Sequence, residues 1–215
     1  MKKIGIIGSG AVGTTLAAGF VQKGYEVMIG SRSTGKLEDW KKENNLSVAV
    51  GNVKETAGFG EIIVLAVKGS AATNALDLAG SGNLKNKTII DVCNPISDAP
   101  PEDGVLGFYT GLDKSLMEDL QEKFAEARFV KAFNSVGSAL MVDPDFGGEK
   151  PTMFIGGNHE GAKDDVKAIL EKFGWEVADM GTAKAARAIE PLCILWCIPG
   201  LRENRWNHAF KLLKP

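Results

Sequence analysis

Histidine and cysteine are scarce in this chain: two and three among 215 residues. His159 and His208 stand far apart and share no metal-ligand spacing with each other or with a cysteine. Three cysteines cannot all pair, so Cys93, Cys193 and Cys197 read as reduced thiols of a cytoplasmic protein. Cys193 and Cys197 lie one helical turn apart with no further ligand nearby, and are read as packing residues. No apolar run approaches the ~18 residues that a membrane span needs. The formal net charge of −2 leaves no basic surplus for nucleic acid. The chain opens directly on a strand-like apolar run, so no leader peptide is expected. There is no Ser/His/Asp set and no Cys/His pair to suggest nucleophilic catalysis. What remains is ordinary for a globular domain: 44% hydrophobic and 24% charged residues.

The positive signal is concentrated between Lys2 and Arg32. Ile4-Gly5-Ile6-Ile7 is an apolar burst without helical period, followed by Gly8-Ser9-Gly10-Ala11-Val12-Gly13. A small-residue helix is expected from Thr14 to Lys23, ended by Gly24, and then a second strand runs from Glu26 to Gly30. In that strand-turn-helix-strand context the G-x-G-x-x-G pattern is a dinucleotide-binding fingerprint. Gly8 permits the tight turn, Gly10 leaves room for a pyrophosphate against the backbone, and Gly13 lets helix and strand pack closely. Free N–H groups and the helix dipole then face the phosphates.

The residues after the second strand choose between dinucleotides. A site for NAD carries Asp or Glu there to accept from the ribose 2′-hydroxyl. Here the segment is Gly30-Ser31-Arg32-Ser33-Thr34-Gly35-Lys36, with no carboxylate before Glu38. Arg32 and Lys36, helped by the hydroxyls of Ser31 and Ser33, suit a 2′-phosphate. Each charge-assisted hydrogen bond is worth roughly 1.5–3 kcal/mol. Two would favour NADP over NAD by about 100-fold or more.

Farther along, strands are predicted at 47–50, 61–67, 87–92, 128–133, 151–157 and 175–180. Helices are predicted at 34–44, 52–58, 70–79, 115–124, 136–141 and 160–173. A final helical region runs from Ala183 to about Leu195, kinked at Pro191. Gly80-Ser81-Gly82-Asn83 reads as a loop, and 96–112 as a long irregular segment of the kind that is usually functional. Alternation with short connections implies an α/β fold: a doubly wound, mostly parallel sheet of about eight strands. Residues 1–180 form the dinucleotide-binding domain, and 181–215 a helical C-terminal extension that packs on the body or on a partner in a homodimer. Ligands on such sheets sit at the carboxyl ends of the strands. This selects Ala66, Val67 and Lys68 after the fourth strand, Asn94 after the fifth, and Ala132 and Asn134 after the sixth. Asn94 and Asn134 are read either as orienting the nicotinamide amide or ribose, or as satisfying local backbone. Lys131 is read as a strand-end surface charge.

These residues resemble the F420-dependent NADP oxidoreductases, and the cytosolic domain of metalloreductases is similar. The resemblance rests on Gly8 to Gly13, on Gly30-Ser31-Arg32 with Lys36, on Val130-Lys131-Ala132-Phe133-Asn134-Ser135, and on Ala186-Arg187-Ala188-Ile189-Glu190-Pro191-Leu192. It implies that Ser31, Arg32 and Lys36 hold the 2′-phosphate of NADP(H). It also implies that Ala66-Val67-Lys68 and Ala132-Phe133-Asn134 line the nicotinamide side. Val67-Lys68 departs from the archaeal pattern. The expected function is hydride transfer between NADPH and a small-molecule acceptor, coenzyme F420 or a flavin. Both rings spread the transferred charge, so no acid–base residue is required. Two alternatives stay open at this level. One is a dehydrogenase or imine reductase with Lys68 or Lys131 as proton donor; the other is a non-catalytic NADP(H) sensor.

Overall fold

The structure, a computed structural model, describes residues 2–213. Its strands are β1 (Ile4–Ile7), β2 (Val27–Gly30), β3 (Ala49–Gly51), β4 (Ile62–Leu65), β5 (Thr88–Asp91), β6 (Arg128–Lys131), β7 (Thr152–Gly157) and β8 (Glu176–Asp179). Its helices are α1 (Ala11–Gln22), α2 (Gly35–Glu43), α3 (Val53–Phe59), α4 (Gly69–Ala79), α5 (Ser81–Leu84), α6 (Leu116–Lys123), α7 (Glu160–Lys172), α8 (Ala186–Ile189) and α9 (Leu192–Glu203). The strands form one sheet in the order β3-β2-β1-β4-β5-β6-β7-β8, parallel throughout except for the β6–β7 pair. This is the expected doubly wound arrangement. Its order reverses between β1 and β4, and a crevice opens at the carboxyl ends there.

Side chains alternate across the sheet with period two. Ile4, Ile6, Ile62 and Val64 pack beneath α1, α2 and α7, with Phe20, Leu37 and Phe173. Ile7, Ile63, Leu65 and Ile89 pack beneath α3 to α6, with Val53, Leu76 and Leu120. Both faces are covered, which is why the strands read as continuous apolar runs. Asn52 caps α3 in a reciprocal box with Glu55.

Three expectations are corrected. Gly80 to Asn83 is not an open loop. Gly80, at φ +82°, caps α4 through its N–H and a single helical turn, α5, follows, anchored by buried Leu84. The helix expected at 136–141 is only a 3₁₀ turn, Ser138–Leu140. The C-terminal helix does not kink at Pro191 but breaks there, because proline cannot continue the hydrogen-bond ladder. A 3₁₀ turn (Ala183–Ala185) and α8 precede it, and α9 then runs past Leu195 to Glu203, ended by Asn204 in the left-handed conformation.

The segment after β8 is fastened to α6 and to the sheet through specific polar contacts. The Arg187 guanidinium grips Glu118 through two nitrogens, at 2.7–3.1 Å. Ser115 donates its N–H and its hydroxyl to the same carboxylate, each at 2.9 Å. Farther on, Thr152 N–H donates to Phe210 O, Trp196 Nε1 donates to His208 O, and Lys211 pairs with Glu176. Trp196 stacks on His208.

Hydrogen bonds from Arg187 and, against the opposing effect of burial, from Ser115 lower the Glu118 pKa to about 2. A carboxylate depressed in the folded state contributes stability above its unfolded pKa, near 4.5, and that stability is lost as pH falls toward 2. Arg187→Gln should therefore lower stability at neutral pH, by an amount that solvent screening keeps modest. Urea unfolding should show that gap closing between pH 4.5 and 2; a gap that persists unchanged at pH 2 contradicts the assignment.

Candidate functional site

A cleft of about 290 Å³ lies at the carboxyl ends of β1, β2 and β4. Gly8, Ser9, Gly10, Ser31, Arg32, Ala66, Val67 and Lys68 line it, so eight residues selected from the sequence meet at one place. Ala11, Val12 and Gly13 form the first turn of α1 beside them. Gly8 holds φ +138°, and a Cβ on it would lie 2.1 Å from Ala66 O. A Cβ on Gly13 would lie 2.2 Å from Gly8 O, so helix and strand are packed too tightly there for any side chain. At Gly10, in contrast, a Cβ would meet nothing within 4 Å. That space, at the N-cap of α1, is where a pyrophosphate fits. No side chain caps α1 and its first turn holds no carboxylate, so its N–H groups and dipole are available to an anion.

Arg32 and Lys36 are exposed, and neither has a hydrogen-bond or ion-pair partner among the described residues. Ser31 Oγ donates to Ser33 O and so shapes the loop that carries Arg32. The cleft lining contains no carboxylate. Ser33 and Lys36 stand beyond the lining, on the loop and at the start of α2. These features accommodate NADP(H): open space at the glycine turn, an uncapped helix start and two free cations past β2.

The glycines separate folding from binding. Gly10→Ala should leave stability within about 0.5 kcal/mol while weakening NADP⁺ binding at least 10-fold by calorimetry. Gly8→Ala should instead destabilise the fold by about 1–3 kcal/mol. Normal NADP⁺ affinity in Gly10→Ala would place the pyrophosphate elsewhere.

Val53 and one face of α4, formed by Ala71, Asn74, Ala75 and Leu78, also line the cleft and escaped the sequence reading. The signal available was the helical spacing of those four residues immediately after a strand that ends at the crevice. Asn94, Ala132 and Asn134 are not part of the lining. Ala132 is fully buried. Asn94 Nδ2 donates to Asn134 O at 2.8 Å, and Asn134 Nδ2 donates to Asn94 Oδ1 and to Ile189 O. These amides tie the ends of β5 and β6 to α8. Phe133, between them, is buried at φ +61°, a conformation costly for a bulky side chain and found where the surrounding structure enforces it.

Among the described residues no three His, Cys, Asp or Glu side chains are grouped so that they could hold a metal ion. No helix among them is long and apolar enough to cross a membrane. Cys193 is buried and Cys197 half-buried on α9.

Residues 3–95 match the sequence model of the family described as NADP oxidoreductase, coenzyme F420-dependent. A crystal structure from Arthrobacter sp. FB24, provisionally named an F420-dependent NADP-reductase, is 31% identical and superposes with a TM-score of 0.91 over 100% of both chains. The chain belongs to the F420-dependent NADP oxidoreductase family. Metalloreductase STEAP3 of Rattus norvegicus is 30% identical over 207 residues, covering 93% of this chain but 38% of that protein. The chain thus spans well under half the length of that curated relative. A reductive aminase from Aspergillus terreus in complex with NADPH and ethyl levulinate, 17% identical, shares the fold at a TM-score of 0.68 over 94% of this chain and 62% of that one.

One reading of the sequence is overturned. Lys131 is not a surface charge: its side chain is fully buried. Its Nζ donates to Cys93 O at 2.8 Å and lies 2.6 Å from Asp91 Oδ2 and 2.9 Å from Glu190 Oε1. The Asp91 contact is an ion pair without hydrogen-bond alignment. Burial alone would lower the Lys131 pKa, but Asp91 and Glu190 reverse that and hold it above its ordinary value. Glu190 in turn accepts from Leu116 N–H and Met117 N–H, both at 3.0 Å, at the start of α6. The run from Ala186 to Leu192 therefore acts as a clamp between α6 and the ends of β5 and β6. Lys68 also has a partner, Asp98 of the long loop. Neither lysine considered as a proton donor is free.

Proposed function

We propose that this protein transfers a hydride between NADPH and a flavin-like acceptor, of which coenzyme F420 is the leading member. The observation that carries the reading is the pair of unpartnered cations, Arg32 and Lys36, placed just past β2 beside an uncapped α1. When bound, the reduced nicotinamide supplies the hydride. The chain's own residues do the rest. The N–H groups at the start of α1 would hold the pyrophosphate, Arg32 and Lys36 would hold the 2′-phosphate, and Ala66, Val67 and Lys68 would wall the nicotinamide side.

The choice of acceptor rests on what the cleft provides. Lys131 is sequestered and Lys68 is paired. A ketone or imine needs a proton as it is reduced, and neither lysine is placed to give it, whereas transfer between two delocalised rings needs mainly orientation and exclusion of water. The Arthrobacter relative, matched over its whole length, supports the same reading. The test is oxidation of NADPH and of NADH, followed by absorbance, against F420, FMN, FAD, a ferric chelate, a cyclic imine and a small ketone. Turnover of F420 or a flavin with preference for NADPH is the expected result. Turnover of the imine or ketone alone would establish the small-substrate reductase instead. Tight NADPH binding with no acceptor consumed would establish a sensor.

A further inference from the structure

We propose that the Tyr109 hydroxyl is a hydrogen-bond donor to the hydride acceptor. The inference rests on the flavin-like reading above. Tyr109 belongs to the long irregular segment after β5. That segment folds back on itself through an Ile96–Phe108 bridge and through Ser97 N–H to Gly107 O, and is fastened by Tyr109 N–H to Pro95 O. The strap sets the phenol over the junction between the ends of β4 and β5. A Cβ on Gly69 would lie 3.0 Å from Tyr109 Oη and 2.1 Å from Asn94 O. Gly69 opens α4 directly after Lys68, which lines the cleft, so the hydroxyl stands beside the residue that follows the lining at the end of β4.

The polar groups around Tyr109 are engaged: Asn94 with Asn134, Lys68 with Asp98, and Lys131 with Asp91 and Glu190. Tyr109, 48% exposed, has no hydrogen-bond partner for its Oη among the described residues. Burial, then the nearby Cys93 and Glu190, push its pKa up to about 12. It therefore keeps its proton and can only be a donor to an anionic or carbonyl group at neutral pH.

The sign of charge development selects the partner. Hydride transfer moves two electrons and a hydrogen from the reduced nicotinamide to a ring carbon of the acceptor. The nicotinamide ring becomes positive, so a donor aimed at it would oppose the step. The acceptor ring becomes negative at its nitrogens and carbonyls, so a donor there favours the step. Water then supplies the proton, and Tyr109 retains its own.

Tyr109→Phe keeps the ring and the backbone contact to Pro95. Calorimetric NADP⁺ affinity and the KM for NADPH should be unchanged, which also confirms folding. The kcat/KM for F420 or FMN should fall about 10- to 100-fold. Quenching titrations of F420 on the NADP⁺-loaded protein should show weaker binding in the variant. Unchanged kcat/KM in an active enzyme overturns the inference alone, and weakened NADP⁺ binding overturns it by assigning Tyr109 to the cofactor. A wild-type protein that reduces neither F420 nor FMN overturns the flavin-like reading, and this inference with it.

Discussion

Arg32→Ala raises the KM for NADPH about 10- to 100-fold and leaves the weak reaction with NADH almost unchanged. The expectation follows from what Arg32 does not do. It is exposed and has no partner among the described residues, so the fold loses nothing when it is removed. Substitutions of that kind usually change stability by no more than about 0.5 kcal/mol. The whole effect should therefore fall on the ligand. Lys36 strengthens the case. It stands in the first turn of α2, where the helix dipole disfavours a cation, and it gains no ion pair there. A dianionic phosphate bound outside the protein would offset the cost of a charge that weakly opposes its own helix. The double variant with Lys36→Ala should lose most of the preference for NADPH over NADH, and its dependence on ionic strength should flatten. Steady-state kinetics with both nucleotides decide the matter. An unchanged NADPH constant, or an equal rise with NADH, sinks the assignment of the loop.

The cofactor half of the site was legible because its causes are local. A turn that needs positive φ, a helix start that must stay uncapped and a loop that must carry cations are each written in a few adjacent residues. Their spacing survives without knowledge of what packs on them. Gly8, Gly10 and Gly13 show this: the clash distances at Gly8 and Gly13 and the empty space at Gly10 correspond to the three separate roles expected of them. The other half depends on contacts distant in sequence. Val130-Lys131-Ala132 has the same local appearance whether the lysine ends in water or in the core. What decides is Asp91, set opposite it in register on β5, and Glu190, delivered from beyond β8. A faint signal existed: Asp91 and Lys131 are charges embedded in otherwise apolar parallel strands, and such charges are buried only as partners. Asn94 and Asn134 illustrate the same limit. Their side chains hold each other and Ile189 across three chain segments, a use that neither position announces.

Lys131→Met should be the most damaging substitution for stability. Methionine matches the length and apolar stem of lysine, so no large cavity forms. It removes the only cation in contact with two buried carboxylates among the described residues. Asp91 retains the Cys93 N–H, and Glu190 retains the N–H groups of Leu116 and Met117, but neither has a compensating charge. Breaking a buried pair from one side costs about 3–5 kcal/mol, a large part of the ~5–15 kcal/mol that keeps a domain folded. Chemical denaturation should report that loss. Removing the carboxylates as well distinguishes a charge effect from poor packing. Lys131→Met with Asp91→Asn and Glu190→Gln leaves neutral groups that still accept the backbone N–H bonds, and should recover at least half of the loss. No recovery would mean that the damage lies in side-chain packing around β6. The consequence for function is also directional. The triad fixes the end of β6 and α8 beyond the cleft, whereas Arg32 and the glycine turn belong to β1 and β2. A Lys131→Met protein kept folded by low temperature should therefore bind NADP⁺ nearly as tightly as the wild type while reducing its acceptor more slowly.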